Sequence, residues 1–318
     1  MRETTVDIIC PWWKRPSITA EHCRSMNRFM QAAPAGIECK YWVVLSEQDP
    51  YYPELLRLAW DNGYMILHEE NRPLGRKTNV AVNAALSFRG QQQMDSRHWL
   101  MNIGSDDLVD PDYWELCTRH ITEGEDHIYA VDRIYLCDEA LTLAYRLITF
   151  NPGALRFIRL WAVQTLQQDH NKDLYPPELN RTLDGNSAAN LSLIGVKIVN
   201  MVSEKIYIID VKTNTNITSC AAFMRLSENG NFSKVPIRQL CNALGFYHPP
   251  KNAFSFKFGI PETKAIYKGM KVLVFVDSIA TRAQVEKVYK GKELVELKPL
   301  KGKRFKNNLF SFHQLFIP

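Results

Sequence analysis

Paired cysteines, long apolar runs and the familiar glycine fingerprints are what this sequence lacks. Its seven cysteines, Cys10, Cys23, Cys39, Cys117, Cys137, Cys220 and Cys241, are odd in number and scattered, with no C-x-x-C pair. That pattern argues against a disulfide framework and a cysteine zinc site, so the thiols read as reduced and mostly buried. No stretch approaches the ~20 apolar residues of a transmembrane helix, and the opening Met-Arg-Glu-Thr-Thr-Val-Asp has no apolar signal region. A cytoplasmic protein without membrane insertion is therefore expected. No G-x-G-x-x-G follows the first apolar run, which argues against a nicotinamide-dependent dehydrogenase. There is also no P-loop, no G-x-S-x-G and no H-E-x-x-H, and the eight histidines show no metal-ligand spacing.

What is present is an ordinary globular composition over 318 residues, 46% apolar and 23% charged, enough for one large domain and a small one. The net charge of +5 is unevenly placed. Residues 251–318 hold 14 Lys/Arg against 5 Asp/Glu, a balance of +9, which leaves −4 for the first 250 residues. A polyanion partner would meet the C-terminal end, not the acidic remainder.

The first third alternates strand-like and helix-like segments. Val6 to Cys10, Tyr41 to Leu45, Tyr64 to Leu67 and His98 to Ile103 read as strands. Helices are expected from Ser17, taken as a cap, to Gln31, and over Leu74 to Leu86. Strands followed by helices imply a parallel sheet, and ligands of such sheets bind beyond the carboxyl ends of the strands. An antiparallel hairpin is expected between His127–Val131 and Leu141–Leu147, a helix over Leu155 to Leu166, and another strand over Ile206 to Val211. The expected domains are 1–225, a linker at 226–264 packing in part on the main body, and a basic small β-barrel at 265–318, where short strand-like runs alternate with Gly and Lys.

The strongest local signal is Asp106-Asp107 at the end of the fourth strand, with Asp110 and Asp112 close behind. Adjacent carboxylates at a strand end suit a hard divalent cation, which neutralises a diphosphate through bridging oxygens. They also suit a solvated acidic turn that caps the next helix. Asp184, in Thr182-Leu183-Asp184-Gly185-Asn186 before a helix, reads as a cap or as a base, with Asp132 and Asp138 as competitors for the second role. Trp12-Trp13 could stack on a base or sugar or simply pack.

Four segments in order, Pro11-Trp12-Trp13-Lys14-Arg15-Pro16, Ser46-Glu47-Gln48-Asp49, Gly75-Arg76-Lys77-Thr78-Asn79 and Gly104-Ser105-Asp106-Asp107, make residues 5–220 resemble GT-A nucleotide-sugar glycosyltransferases of the family 2-like group. The resemblance implies an α/β fold, GT-A-like and Rossmann-like, with a mixed sheet flanked by helices. It implies a nucleotide-diphosphate sugar bound by Pro11, Trp12, Arg15, Glu47, Asp49, Arg76, Lys77, Asn79, Ser105, Asp106 and Lys212. It further implies Mn²⁺ or Mg²⁺ on Asp106 and Asp107, and Asp184 as the base of an inverting reaction. Gly104 stands where the family motif has its first Asp, so metal dependence is expected from the later carboxylates.

In the tail, Lys290, Lys292, Lys301, Lys303, Arg304 and Lys306, interleaved with aromatics, read as a nucleic-acid-binding surface or as lysines that guard edge strands against aggregation. The favoured reading is a hexosyl- or pentosyltransferase acting on a hydroxylated or hydroxymethylated base in DNA, of the phage type, which would place it in a host cytoplasm. Rival readings are transfer to polysaccharide or lipid-linked sugar, a non-enzymatic nucleic-acid-binding protein on a degenerate sugar-transferase fold, and a nucleotidyltransferase.

Overall fold

β1 (Thr4–Pro11), β2 (Ile37–Leu45), β3 (Met65–His68) and β4 (His98–Asn102) are apolar strands that pair in parallel in the order β4-β1-β2-β3, with α2 (Tyr52–Asp61) joining β2 to β3. A computed structural model describes residues 4–89, 97–124, 127–138, 144–148, 153–212, 232–236, 239–240, 271–276, 279–289, 294–299 and 309–311. The chain forms two units, Met1–Phe256 and Lys257–Pro318.

In the first unit the parallel strands are extended by β9 (Arg156–Arg159), β6 (Ile128–Val131) and β10 (Ile198–Met201), giving a seven-stranded sheet in the order β10-β6-β9-β4-β1-β2-β3. Only β9 runs against the others. Strand direction of winding reverses between β1 and β4, so the crevice beyond their carboxyl ends is a topological switch point, where open α/β sheets bind ligands.

Alternation along the strands sends side chains to two cores. Trp42, Val44, Leu100, Ile128 and Ile158 face α3 (Leu74–Arg89) and α5 (Leu160–His170). On the other face Phe157 meets Tyr113 and Trp114 of α4 (Tyr113–Glu123), and Trp114 stacks on Phe29 of α1 (Pro16–Gln31) at 4.4 Å. The expected mixed sheet flanked by helices is thus present.

A second sheet of five strands lies in the same unit: β5 (Asp107–Val109), β11 (Ile208–Lys212), β7 (Arg133–Asp138), β8 (Ala144–Ile148) and β12 (Phe232–Lys234), in the order β12-β8-β7-β11-β5. Its core joins Leu108, Tyr135, Ile209 and Val211 with Ile18 of α1.

Several local expectations are corrected. Helix α1 starts at Pro16, not Ser17; Arg15 is its N-cap and no side chain caps it, because proline at N1 supplies the helical φ without a donor to satisfy. The segment from Leu155 opens with β9, since Arg-Phe-Ile-Arg fills the gap between β4 and β6, and the helix follows only from Leu160. The hairpin is made by β7 and β8, while 128–131 joins the large sheet.

In the second unit β13 (Lys271–Val276), β14 (Ile279–Tyr289), β15 (Leu294–Pro299) and β16 (Leu309–Ser311) form a four-stranded antiparallel meander. Closure into a barrel lies outside the described residues, as does most of the expected linker at 226–264. Among the described residues, no helix is long and apolar enough to cross a membrane.

Candidate functional site

At the switch point the chain leaves β4 and enters β5 within four residues, so Gly104, Ser105 and Asp106 form the link between the two sheets. Asp107 is then the first residue of β5, where its cross-strand partner in β11 is Asp210. Like charges directly opposite in an antiparallel pair are unfavourable, more so when buried, unless something shared lies between them. One carboxylate oxygen from each of Asp106, Asp107 and Asp210 lies within 4.8 Å of the other two.

The electrostatics follow from that crowding. Burial first, then the neighbouring Asp210 and Asp106, pushes Asp107 well above the usual carboxylate range. Asp210 is raised to about 6, mainly by burial, and Lys212 works against that rise. Protein donors reach all three carboxylates. The Gly104 amide donates to Asp107 Oδ2 at 2.6 Å, Arg15 Nη1 donates to Asp106 Oδ2 at 2.8 Å, and Lys212 Nζ pairs with Asp210 Oδ2. Asp210 Oδ1 is buried with no hydrogen-bond partner. An orphaned buried carboxylate oxygen on a member of an all-oxygen group is what a hard divalent cation such as Mn²⁺ or Mg²⁺ fits.

Gly104 is part of the geometry. A Cβ there would sit 2.8 Å from Asp107 Oδ2 and 3.0 Å from Asp106 Oδ1. A side chain at this position would push into the group, and the third carboxylate comes from β11 instead. Sequence reasoning missed Asp210, although an acid inside the apolar run Ile-Ile-Asp-Val was a visible signal.

Behind the carboxylates, His22 Nδ1 donates to the Asp107 carbonyl at 2.5 Å and Nε2 accepts from the Tyr41 hydroxyl. Burial holds this imidazole neutral, with its pKa lowered to about 4. Trp12 is fully buried, edge-on to His22 and Tyr64, so it belongs to this support and does not present its ring for stacking on a donor.

Other expected donor contacts are also used within the protein. Asp49 is buried and accepts the amides of Lys14 at 2.5 Å and Tyr51 at 2.8 Å, while Glu47 is exposed. Lys77 is buried and donates to the Trp12 carbonyl and to Asn71, and burial lowers its pKa to about 8. Asn79 clamps the backbone of Tyr175, and Arg76, at the surface, pairs with Glu69 at 3.3 Å. The first amides of α3 are occupied too, Gly75 donating to the Leu179 carbonyl and Arg76 to that of Pro177. The basic start of α3 therefore fastens the 174–180 segment to the sheet and is not an open phosphate cradle.

A cleft of about 560 Å³ runs over the carboxylates. Pro11, Gly104, Asp106, Asp107 and Asp210 line it together with Asn180, Arg181 and Asp184. Asp184 is exposed, in the first turn of α6 (Leu183–Ser192), and its carboxylate rests where a Cβ on Gly153 would be. Buried Arg156 holds that turn by donating to the Asp184 carbonyl and Ser187 Oγ. Ser105 is buried and accepts from Arg15 Nη2 at 3.3 Å. Of the expected site residues, Pro11, Asp106, Asp107 and Asp184 line the cleft, while Arg15, bonded also to Ser105, and Lys212 pair with its carboxylates Asp106 and Asp210. The tail cations Lys290, Lys292, Lys301, Lys303, Arg304 and Lys306 lie outside the described residues.

No family model and no curated protein matches the chain. Among solved structures it is similar to S. aureus TarS 1-349 at 15% identity, over 66% of this chain and 60% of that one, with a TM-score of 0.46. It is also similar to the mannosyltransferase PcManGT from Pyrobaculum calidifontis in complex with GDP-Man and Mn²⁺, at 12% identity over 78% and 70% of the chains with a TM-score of 0.47. A third is glucosyl-3-phosphoglycerate synthase from Mycobacterium tuberculosis in complex with Mn²⁺, UDP and glucosyl-3-phosphoglycerate, at 13% identity over 88% and 87% with a TM-score of 0.41. The chain spans about three fifths of the TarS fragment. At these scores the likeness transfers neither activity nor substrate, and the functional reading rests on the cleft itself.

Proposed function

We propose that the chain is a GT-A-type glycosyltransferase that moves a sugar from a nucleotide-diphosphate donor to a hydroxyl acceptor. The observation that carries this reading is one cleft holding two kinds of carboxylate. Asp106, Asp107 and Asp210 form a crowded group at the switch point, Asp107 buried and the other two half-buried, and Asp184 stands exposed in the same lining. The first kind suits a divalent cation and the second suits proton transfer.

A Mn²⁺ or Mg²⁺ ion on the three carboxylates would supply neutralisation of the donor's diphosphate oxygens. Arg15 and Lys212 add positive charge beside the same group, where charge develops on the leaving nucleotide. Asp184 accepts the proton of the acceptor hydroxyl as that oxygen attacks the anomeric carbon from the face opposite the diphosphate; the bond from that carbon to the diphosphate oxygen breaks, the nucleoside diphosphate leaves, and the single displacement inverts the centre. Ser105 and the Gly104 amide orient the Arg15 and Asp107 side chains.

For the acceptor, we propose a hydroxylated or hydroxymethylated base in DNA and a hexose or pentose as the group transferred. Support comes from the +9 balance of residues 251–318 and from the cross-strand row of Lys271, Gln284 and Lys298 in the second unit.

The test is a screen of UDP-, GDP-, CDP- and dTDP-sugars with Mn²⁺, using unmodified and hydroxymethylated DNA, polysaccharide and lipid-linked sugar as acceptors. Transfer is expected with one donor and is abolished in Asp106→Ala. Asp184→Asn is expected to keep nucleotide binding and lose turnover by about 10²-fold or more. No donor binding and no turnover with any nucleotide sugar would overturn the enzyme reading, and turnover only on polysaccharide or lipid-linked sugar would overturn the DNA acceptor.

A further inference from the structure

Arg15 is held in a backbone conformation that L-residues rarely adopt. It and Lys14 have φ of 56° and 58°, two successive left-handed residues without a glycine. The loop is pinned on both sides. The Lys14 amide donates to Asp49 at 2.5 Å, the Arg15 carbonyl accepts from Thr19 at 3.0 Å, and Pro16 opens α1. Such pinning leaves the Arg15 side chain as the part that can relocate while its backbone stays in place. In the structure its guanidinium spans Asp106 Oδ2 and Ser105 Oγ, with side-chain exposures of 16% for Arg15 and 13% for Asp106, so the pair is not sealed in the core, and Asp106 lines the cleft.

The charge count around the carboxylates gives Arg15 a second position. Asp106, Asp107 and Asp210, when ionised, exceed Arg15 and Lys212 by one negative charge. A divalent cation entering with Arg15 in place would turn that into an excess of one positive charge. With Arg15 withdrawn, the same group is neutral. Lys212 is the poorer candidate to leave, since it lies two positions from its partner Asp210 on one strand face, and its withdrawal would strand that buried carboxylate. The diphosphate of the proposed donor would offer Arg15 an anion in exchange, because a guanidinium pairs two-pronged with phosphate oxygens as readily as with carboxylate.

We propose that Arg15 is an exchangeable counter-ion: it holds Asp106 while no cation is there, and passes to a phosphate oxygen of the incoming diphosphate when cation and nucleotide enter together. The inference rests on the cation-site reading above. It makes cation and nucleotide binding cooperative through one side chain, since each ligand removes the obstacle to the other.

Mn²⁺ binding to the full chain is measured by electron paramagnetic resonance, alone and with UDP or GDP, for wild type, Arg15→Asn and Arg15→Lys. Asparagine tolerates the left-handed backbone, so Arg15→Asn removes the charge and keeps the loop. The expected result is Mn²⁺ alone bound about tenfold tighter by Arg15→Asn than by wild type. Nucleotide should tighten Mn²⁺ binding in wild type, little in Arg15→Asn, and to an intermediate degree in Arg15→Lys. An unchanged or weaker Mn²⁺ affinity in Arg15→Asn, or an equal nucleotide effect in both proteins, overturns the exchange and leaves the cation site standing. No Mn²⁺ binding by wild type, with or without nucleotide, overturns the cation site and the exchange with it. Should Arg15→Asn fail to fold, Asp106→Asn releases the same guanidinium, and nucleotide affinity without Mn²⁺ must then rise; if it does not, the exchange fails.

Discussion

His22 is bonded at both ring nitrogens, donating to the Asp107 carbonyl and accepting from Tyr41, in a site that water does not reach. Its folded pKa of about 4 lies below the unfolded value of 6.5, so the folded state binds this proton less readily. The stabilisation is present above pH 6.5 and is lost as pH falls toward 4, by an amount on the order of 3 kcal/mol. Urea midpoints measured across that window should decline, and His22→Gln should flatten the decline. At the carboxylates, Asp210→Asn keeps the shape of β11 but removes one charge. Mn²⁺ affinity should fall about tenfold or more while the melting temperature holds or rises, because the mutation also relieves repulsion with Asp107. A lowered melting temperature with unchanged Mn²⁺ affinity would remove Asp210 from the site. Asp106 and Asp107 could be read from sequence because they close an apolar strand. The apolar run around Asp210 marks it as unusual, but its place beside Asp107 depends on the register of β11 against β5, about a hundred residues away in the chain.

The elements show the same boundary between local and non-local information. The parallel strands and α1, α3, α4 and α6 follow from apolar runs and helix starts, and their order alone puts the site at the strand ends. The Gly-Arg-Lys-Thr-Asn start of α3 misled for a specific reason: a basic, glycine-led helix start looks the same whether it meets a phosphate or another stretch of backbone. Here it meets backbone. A Cβ on Gly75 would lie 2.0 Å from the Pro176 carbonyl oxygen, so the 174–180 segment crosses where only glycine fits. Gly75→Ala should therefore cost about 1–3 kcal/mol, as overpacking does, measured by urea denaturation. Unchanged stability would mean that the segment yields without cost. Strand β9 was hidden because four residues reading Arg-Phe-Ile-Arg carry no period that separates a strand from the first turn of a helix.

On the scale of the whole molecule, the two units divide along the charge asymmetry. Residues 1–256 contain both sheets with their cores, and should fold and bind Mn²⁺ alone; the strongly basic remainder should supply the salt-dependent part of any DNA affinity. Fluorescence anisotropy with labelled duplex over a salt series checks this, and an unchanged salt slope after truncation at Phe256 would refute it. The link from β4 through Gly104 to β5 carries one more consequence. Asp107 and Asp210 come from strands far apart in sequence, and the link joins two different sheets. A ligand bridging them acts as a reversible cross-link in the folded state between segments about a hundred residues apart, and is released when they separate on unfolding. Binding at the cleft and resistance of the whole first unit to unfolding then become a single thermodynamic quantity, so that a chelator would loosen the architecture as well as stop the chemistry.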